Sequence, residues 1–303
     1  LIETYCQSQN LEREFQAGLF RVPVPRVDRR AFREAVCNAL THRDYTRRGA
    51  VHIRWETDTL TISNPGGLVE GVTLENLLTT EPRPRNPALA DAFKRIGLVE
   101  RTGRGVDLIY RGLLRYGRDI PDYSRTDLNN VTVRLSISEA DLAFLKLVLD
   151  EENARQVRLP IDSLIALSVL RRQRRVSRQE LARFIQKDEA KAGQLLEALV
   201  EHGLVQPHGV GRGRSYTLSP RAYRTLGQEA EYTRQAGFDV LQQEQLVRNL
   251  VRRKGEIRRK DVMDLCGLNG SQAYRLLKRL AGQGILKAHE SKKKAFYTPG
   301  PHV

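Results

Sequence analysis

The sequence predicts an α+β chain: one mixed α/β domain followed by two copies of a helix–helix–helix–hairpin unit. Three observations predict it. Short β-rich runs in the first half alternate with apolar-periodic helices. The second half repeats itself. The positive charge is gathered in the repeat. Residues 1–140 carry 21 Lys/Arg against 18 Asp/Glu, residues 141–160 carry 3 against 4, and residues 161–303 carry 27 against 14. A near-neutral domain joined to a basic one implies a polyanionic partner, nucleic acid above all.

Composition removes several classes. The three cysteines, Cys6, Cys37 and Cys266, share no close spacing, which speaks against a disulfide framework or a metal site and fits a reducing cytoplasm. No signal peptide or long apolar run is present, so a cytoplasmic protein without a membrane is expected. No G-x-x-x-x-G-K-[ST] run supports a P-loop motor. The chain opens on Leu1 in mid-pattern, and residues 1–26 read as a connecting segment behind an upstream domain.

The mixed domain is expected over 27–137. Its helix REAVCNALTHRDY is rich in apolar residues, yet Glu34, Asn38 and His42 recur every fourth position and so share one face. Strands follow at Val51–Glu56 and Thr59–Ser63, with a turn near Thr57–Asp58. The second strand runs into Asn64-Pro65-Gly66-Gly67, where paired glycines allow a tight turn and close approach by a ligand. A short helix capped by Thr73, a Pro/Arg-rich loop and the helix ALADAFKRIG come next. Gly103-Arg104-Gly105 then opens another helix, and glycines at a helix start leave free N–H groups for phosphate. An amphipathic linker helix is expected within 138–160, over about Glu139–Glu152.

The repeat comprises 161–228 and 229–303. Each copy has an apolar helix ending in a basic cluster, then a short helix (RQELARFI, RKDVMDLC), then a third amphipathic helix. That third helix ends at Gly203 or Gly284 and is followed by two strands around a basic tip. This order resembles the winged helix-turn-helix, which implies that the third helix enters the major groove and the hairpin follows the backbone. In the second copy Ser271, Gln272, Tyr274, Arg275, Lys278 and Arg279 offer donors to bases and phosphates, and Lys292, Lys293 and Lys294 arm the hairpin tip. The first copy has Arg212 and Arg214 at its tip, but its third helix opens on Asp188 and Glu189, which phosphate would repel. Residues 241–303 carry 14 basic against 5 acidic residues and residues 161–240 carry 13 against 9, so the second copy is the stronger candidate for DNA.

Glu34 and Asn38, then Asn-Pro-Gly-Gly, then Gly-Arg-Gly, in that order, resemble the N-box and glycine boxes of the Bergerat-fold (GHKL) ATPases. More narrowly, Val27–Leu135 is similar to the divergent ATP-binding-like domain of bacterial and archaeal proteins that carry a Schlafen-type AlbA-like domain upstream and winged helices downstream. The resemblance implies a GHKL-like α/β sandwich. It implies that Glu34 polarises an attacking water, that Asn38 holds Mg²⁺, and that His42, Asn64, Gly66, Gly67, Gly103, Arg104 and Gly105 surround an ATP. Asn64 stands where the family has an Asp that reads the adenine amino group, and the glycine-rich lid is shortened.

Two functions are expected from these readings. The first is a DNA-binding transcriptional regulator, a reading that leans away from an enzyme, with a degenerate GHKL-type domain that senses a nucleotide or small-molecule effector and builds a homodimer. The alternative is an ATP-hydrolysing GHKL-type module acting on nucleic acid. A protein–protein adaptor is a third reading for the first repeat copy.

Overall fold

The computed structural model describes residues 2–17, 20–99, 105–209, 211–266, 268, 270–289 and 295–302. It is a mixture of helices and small antiparallel sheets, as the α+β expectation required, and it forms two compact units. The first holds Leu1–Arg172 and Gln179–Leu195; the second holds Gln173–Arg178 and Leu196–Val303.

The first unit begins with helix α1 (Ile2–Gln9) and the hairpin β1 (Glu12–Ala17) and β2 (Phe20–Pro25). This segment is folded into the unit. Cys6 joins the main core, and Asn10, 8% exposed, bonds both the amide and the carbonyl of Val27 at 2.9 and 3.0 Å. Helix α2 (Arg29–His42) starts at Asp28, whose carboxylate accepts from the amides of Arg30 and Ala31. Strands β3 (His52–Trp55), β4 (Thr59–Pro65) and β5 (Asn130–Ser136) form one antiparallel sheet in that order. Between β4 and β5 lie helices α3 (Pro87–Arg95), with Pro at its first position, and α4 (Gly105–Leu114).

Alternation along β4 buries Leu60 and Ile62, and β5 adds Val133 and Leu135. Helix α2 covers them with Phe32, Ala35, Val36 and Ala39, and α4 with Ile109 and Leu113. Each Leu, Ile, Val or Phe among them contributes about 1.5–3 kcal/mol when fully buried. The two helices cross closely at Gly112, where a Cβ would stand 2.6 Å from that of Ala31. The helix expected behind Thr73 is instead a run of turns. Asn76 folds it back, donating to the Gly71 carbonyl and accepting from the Thr73 amide. The linker helix is α5 (Leu142–Arg155), and it is core rather than linker: Phe144, Leu145, Leu147 and Val148 are buried, and Leu145 packs with Val24 and Tyr116.

After α6 (Ile161–Gln173) come β6 (Val176–Ser177), α7 (Arg178–Ile185), α8 (Glu189–Glu201), β7 (Val205–His208) and β8 (Ser215–Leu218). Asp188 caps α8 by accepting from the Lys191 amide. After α9 (Pro220–Thr225) and α10 (Glu229–Lys254) come β9 (Ile257–Arg258), α11 (Arg259–Cys266), α12 (Gly270–Gly282), β10 (Leu286–His289) and β11 (Phe296–Pro299). The repeat shows in the second unit's sheets, ordered β6-β8-β7 and β9-β11-β10. Val176 pairs with Tyr216 as Ile257 pairs with Tyr297, and a 2.8 Å bond joins His208 to Thr217 as another joins His289 to Thr298. A core of Val247, Val251, Ile257, Val262, Ala273, Leu277 and Leu280 binds α10, α11, α12 and the last sheet.

Candidate functional site

The polar stripe of α2 faces a cavity of about 700 Å³ within the first unit. Glu34, Asn38 and His42 line it together with Asn64, Gly67 and Gly105. Residues more than seventy positions apart thus meet at one site. Gly66 does not line the cavity. Its φ of +96° and its packing against Asp44, whose Cβ would be 2.7 Å from an added Cβ, make it a turn residue. Gly103 and Arg104 lie outside the described residues.

Glu34 is 7% exposed and its carboxylate is aimed at the start of α4. A Cβ on Gly105 would overlap Oε1 and stand 2.7 Å from Cδ. The first turn of α4, which sequence reasoning reserved for a phosphate, is already faced by a carboxyl group of the chain itself. Asn64 is 3% exposed and its amide donates to the Pro65 carbonyl at 3.2 Å. Burial holds the His42 imidazole below its usual range, and the neighbouring Arg85 charge lowers it further.

Sequence reasoning missed the residues that hold the cavity wall. Arg85 donates to the carbonyls of His42 and Gly67 at 3.2 and 2.8 Å, and Asn86 donates to those of Thr41 and Arg43. Both read as part of a Pro/Arg-rich loop. Gln186, between α7 and α8, accepts from the Leu78 amide at 2.7 Å and donates to the Leu74 carbonyl at 2.8 Å. Lys187 pairs with Asp162, and both line the cavity. These bonds tie the turn between α7 and α8 to the cavity wall. Among the described residues no group of three or more His, Cys, Asp or Glu is placed to hold a metal ion.

In the second unit α12 separates its faces cleanly. Ala273, Leu276, Leu277 and Leu280 are buried, whereas Ser271, Gln272, Tyr274, Arg275, Lys278 and Arg279 are exposed. Lys292–Lys294 and the side chain of Arg212 lie outside the described residues. Arg214 is engaged: it pairs with Glu197 at 3.0 Å and lies over the Tyr216 ring. Arg178 and the Tyr216 hydroxyl share that carboxylate. Among the described residues no helix is long and apolar enough to cross a membrane.

The chain thus joins a mixed α/β layer with a polar cavity to a basic C-terminal repeat. Residues 49–135 match the family described as "Putative ATP-dependent DNA helicase recG C-terminal", consistent with a GHKL-like ATP-binding domain. Residues 123–302, more than half of the chain, match the family described as "DNA glycosylase AlkZ-like". The chain belongs to the AlkZ-like family. It is also similar to the crystal structure of the DIP2311 protein from Corynebacterium diphtheriae, with a TM-score of 0.64 and 29% identity. That match covers 75% of this chain and 46% of the other, so the chain spans less than half of that protein's length. No curated protein matches the chain.

The AlkZ-like match corrects the expected function. It points to DNA repair instead of transcriptional regulation, and it gives the alternative, an ATP hydrolase acting on nucleic acid, no support. The expectation leaned away from an enzyme, whereas the family's name is that of one. DNA as a partner is in keeping with the family, whereas the expected effector and homodimer find no support there.

Proposed function

We propose that this chain binds duplex DNA through α12 and the β10–β11 hairpin and acts as a DNA glycosylase, releasing a modified base. The observation that carries the reading is the exposed stripe of α12, which lies within the stretch matched by the AlkZ-like family. Gln272 and Arg275 are suited to base edges, and Lys278 and Arg279 to phosphates. The two repeat copies have the element order of winged helices, and we assign them that arrangement, with the second as the DNA reader. The first is less suited, because Glu197 neutralises Arg178 and Arg214. Base release requires a nucleotide to leave the stack, at a cost that damage or mismatch lowers.

The test is retention of a labelled duplex across a salt series, followed by alkali cleavage of duplexes carrying single modified bases. Affinity should fall steeply with salt, by about 0.9 log units per log unit for each phosphate engaged. Arg275→Ala with Lys278→Ala should lose most of it. A duplex ignored at low salt would sink the reading. Tight binding without an alkali-labile site on any modified duplex would remove the enzyme and leave a DNA-binding protein.

A second reading attaches to the cavity, which we propose takes a nucleotide in a GHKL-like sandwich. Its volume suits a small ligand. Asn64 would meet the base, and Asn38 would hold a phosphate-bound Mg²⁺. The residues fit the base end better than the phosphate end, where Glu34 faces α4. Calorimetric titration with Mg-ATP, with Asn38→Ala as control, tests this; equal heats in the two proteins would refute it.

A further inference from the structure

A second, smaller cleft of about 280 Å³ lies on the first unit, lined by Arg47, Arg48, His52, Asn129 and Asn130 beside the backbone of Gly49 and Ala50. Its rim is the loop between α2 and β3, and one guanidinium holds that loop in shape. Arg43 donates to the carbonyls of Asp44, Arg47 and Gly49 at 3.3, 3.2 and 2.6 Å and lies over the Tyr45 ring at 4.5 Å. Asp44 turns the chain by accepting from the Thr46 amide and hydroxyl, and its own amide bonds the Pro65 carbonyl at 2.8 Å. The loop is therefore fixed to the Asn64–Gly67 turn.

What it presents is cationic. Arg47 spends Nε on Asp44 at 3.2 Å and Nη1 on Asn129 at 3.0 Å, which sets the plane of its guanidinium. Arg48 is exposed and makes no hydrogen bond or ion pair among the described residues. His52 and Asn130 are exposed beside it. The carboxylates nearby are occupied: Asp44 by Thr46 and Arg47, and Asp127 by the amides of Asn129 and Asn130 at 2.7 Å each. Two adjacent guanidinium groups with an imidazole and carboxamides, on a pre-shaped loop, suit a tetrahedral oxyanion that offers several acceptor oxygens. The cleft has room for a phosphate and a sugar.

We propose that this cleft is a phosphodiester site, and that the first unit adds a backbone contact to DNA through Arg47 and Arg48. The inference rests on the DNA-binding reading but uses a surface in the other compact unit, whose two arginines lie outside the AlkZ-like stretch. It is invisible in the charge balance, because residues 1–140 are near neutral.

The experiment is fluorescence anisotropy of the full chain with a duplex of about twenty base pairs, enough to span two helical turns, over a salt series. Arg48→Gln, Arg47→Gln/Arg48→Gln and Arg275→Gln/Lys278→Gln are measured beside the wild type. Arg48→Gln removes no bond within the protein, so its fold is kept. It should lower the salt slope by about one and the double variant by about two, with affinity falling about tenfold. Unchanged slopes in both, with the α12 variant impaired, would overturn this inference and leave the DNA-binding reading standing. No wild-type affinity would overturn both. Inorganic phosphate that binds the cleft, while the Arg47/Arg48 variant holds duplex as the wild type does, would assign the cleft to small anions and overturn the DNA contact.

Discussion

The Glu34 carboxylate lies against the Cα of Gly105, leaving no room for even a methyl group on that glycine. The Glu34 carboxyl group stands at the N-terminal end of α4. Gly105 is favoured by space, since an added methyl would have to push the Glu34 carboxyl, the end of a buried side chain, aside. Gly105→Ala should therefore destabilise the chain by about 1–3 kcal/mol. Glu34→Ala removes the obstructing group, so the double variant should cost less than the two single changes added together. Urea denaturation of the four proteins measures this, and strictly additive costs would refute the contact.

His42 makes stability depend on pH. Its folded pKa lies below the unfolded value of 6.5, first through burial and then through Arg85. The unfolded chain therefore binds the proton more readily than the folded one. Stability from this residue is full well above pH 6.5 and is lost as pH falls through that value towards the folded pKa. His42→Gln should flatten the drop in denaturation midpoint between pH 7.5 and 5.5, the interval that spans the unfolded pKa. A difference between the two proteins that is constant across that range would contradict the assignment.

The α2 stripe was legible because it is local. Helical spacing places Glu34, Asn38 and His42 on one face whatever surrounds them, and the cavity lies on that face. The repeat was legible for a similar reason: Val176 and Ile257, or Gly203 and Gly284, recur at one offset, and their pairings or turns recur with them. The segment from Val69 to Asn86 was not legible. Thr73 followed by Leu-Glu-Asn-Leu-Leu has good helix chemistry, but Asn76 bonds back to Gly71 and Thr73. Its anchors, Arg85, Asn86 and Gln186, act on backbone carbonyls and amides, which leave no periodic trace in a sequence. Nothing local in the first repeat announces that Glu197 and Tyr216 hold Arg214.

Arg118 is a buried guanidinium that serves as a fastener. It is 4% exposed, donates to the carbonyls of Ser138 and Pro25 at 2.9 and 2.8 Å, and lies over the Tyr116 ring. Burial pulls its pKa down to about 10, still well above neutrality, so the cation persists. It joins β2, α4's end and the chain before α5. A lysine cannot span both carbonyls, and an orphaned buried acceptor costs about 1–3 kcal/mol. Arg118→Lys should lower the denaturation midpoint accordingly, with no change in DNA affinity. A loss under about 0.5 kcal/mol, the scale of an ordinary surface substitution, would mean that these bonds are dispensable.

Gln186 clasps the irregular wall of the cavity. Residues 69–86 contain neither helix nor strand, so the Leu78 amide owes its protection to a side chain over one hundred positions away. Gln186 holds a left-handed backbone, φ 55°, which an amino acid with a Cβ adopts at some cost and which asparagine tolerates better. Gln186→Asn keeps the amide group but is one methylene short of both partners, while Gln186→Gly relaxes the backbone and has no side chain. Each bond lost is worth about 1 kcal/mol, so hydrogen exchange at Leu78 should quicken roughly five- to tenfold in both variants. If backbone strain rather than the clasp governed the wall, Gln186→Gly would instead slow exchange or leave it unchanged. The two substitutions moving Leu78 in the same direction is the result that assigns the protection to the side chain.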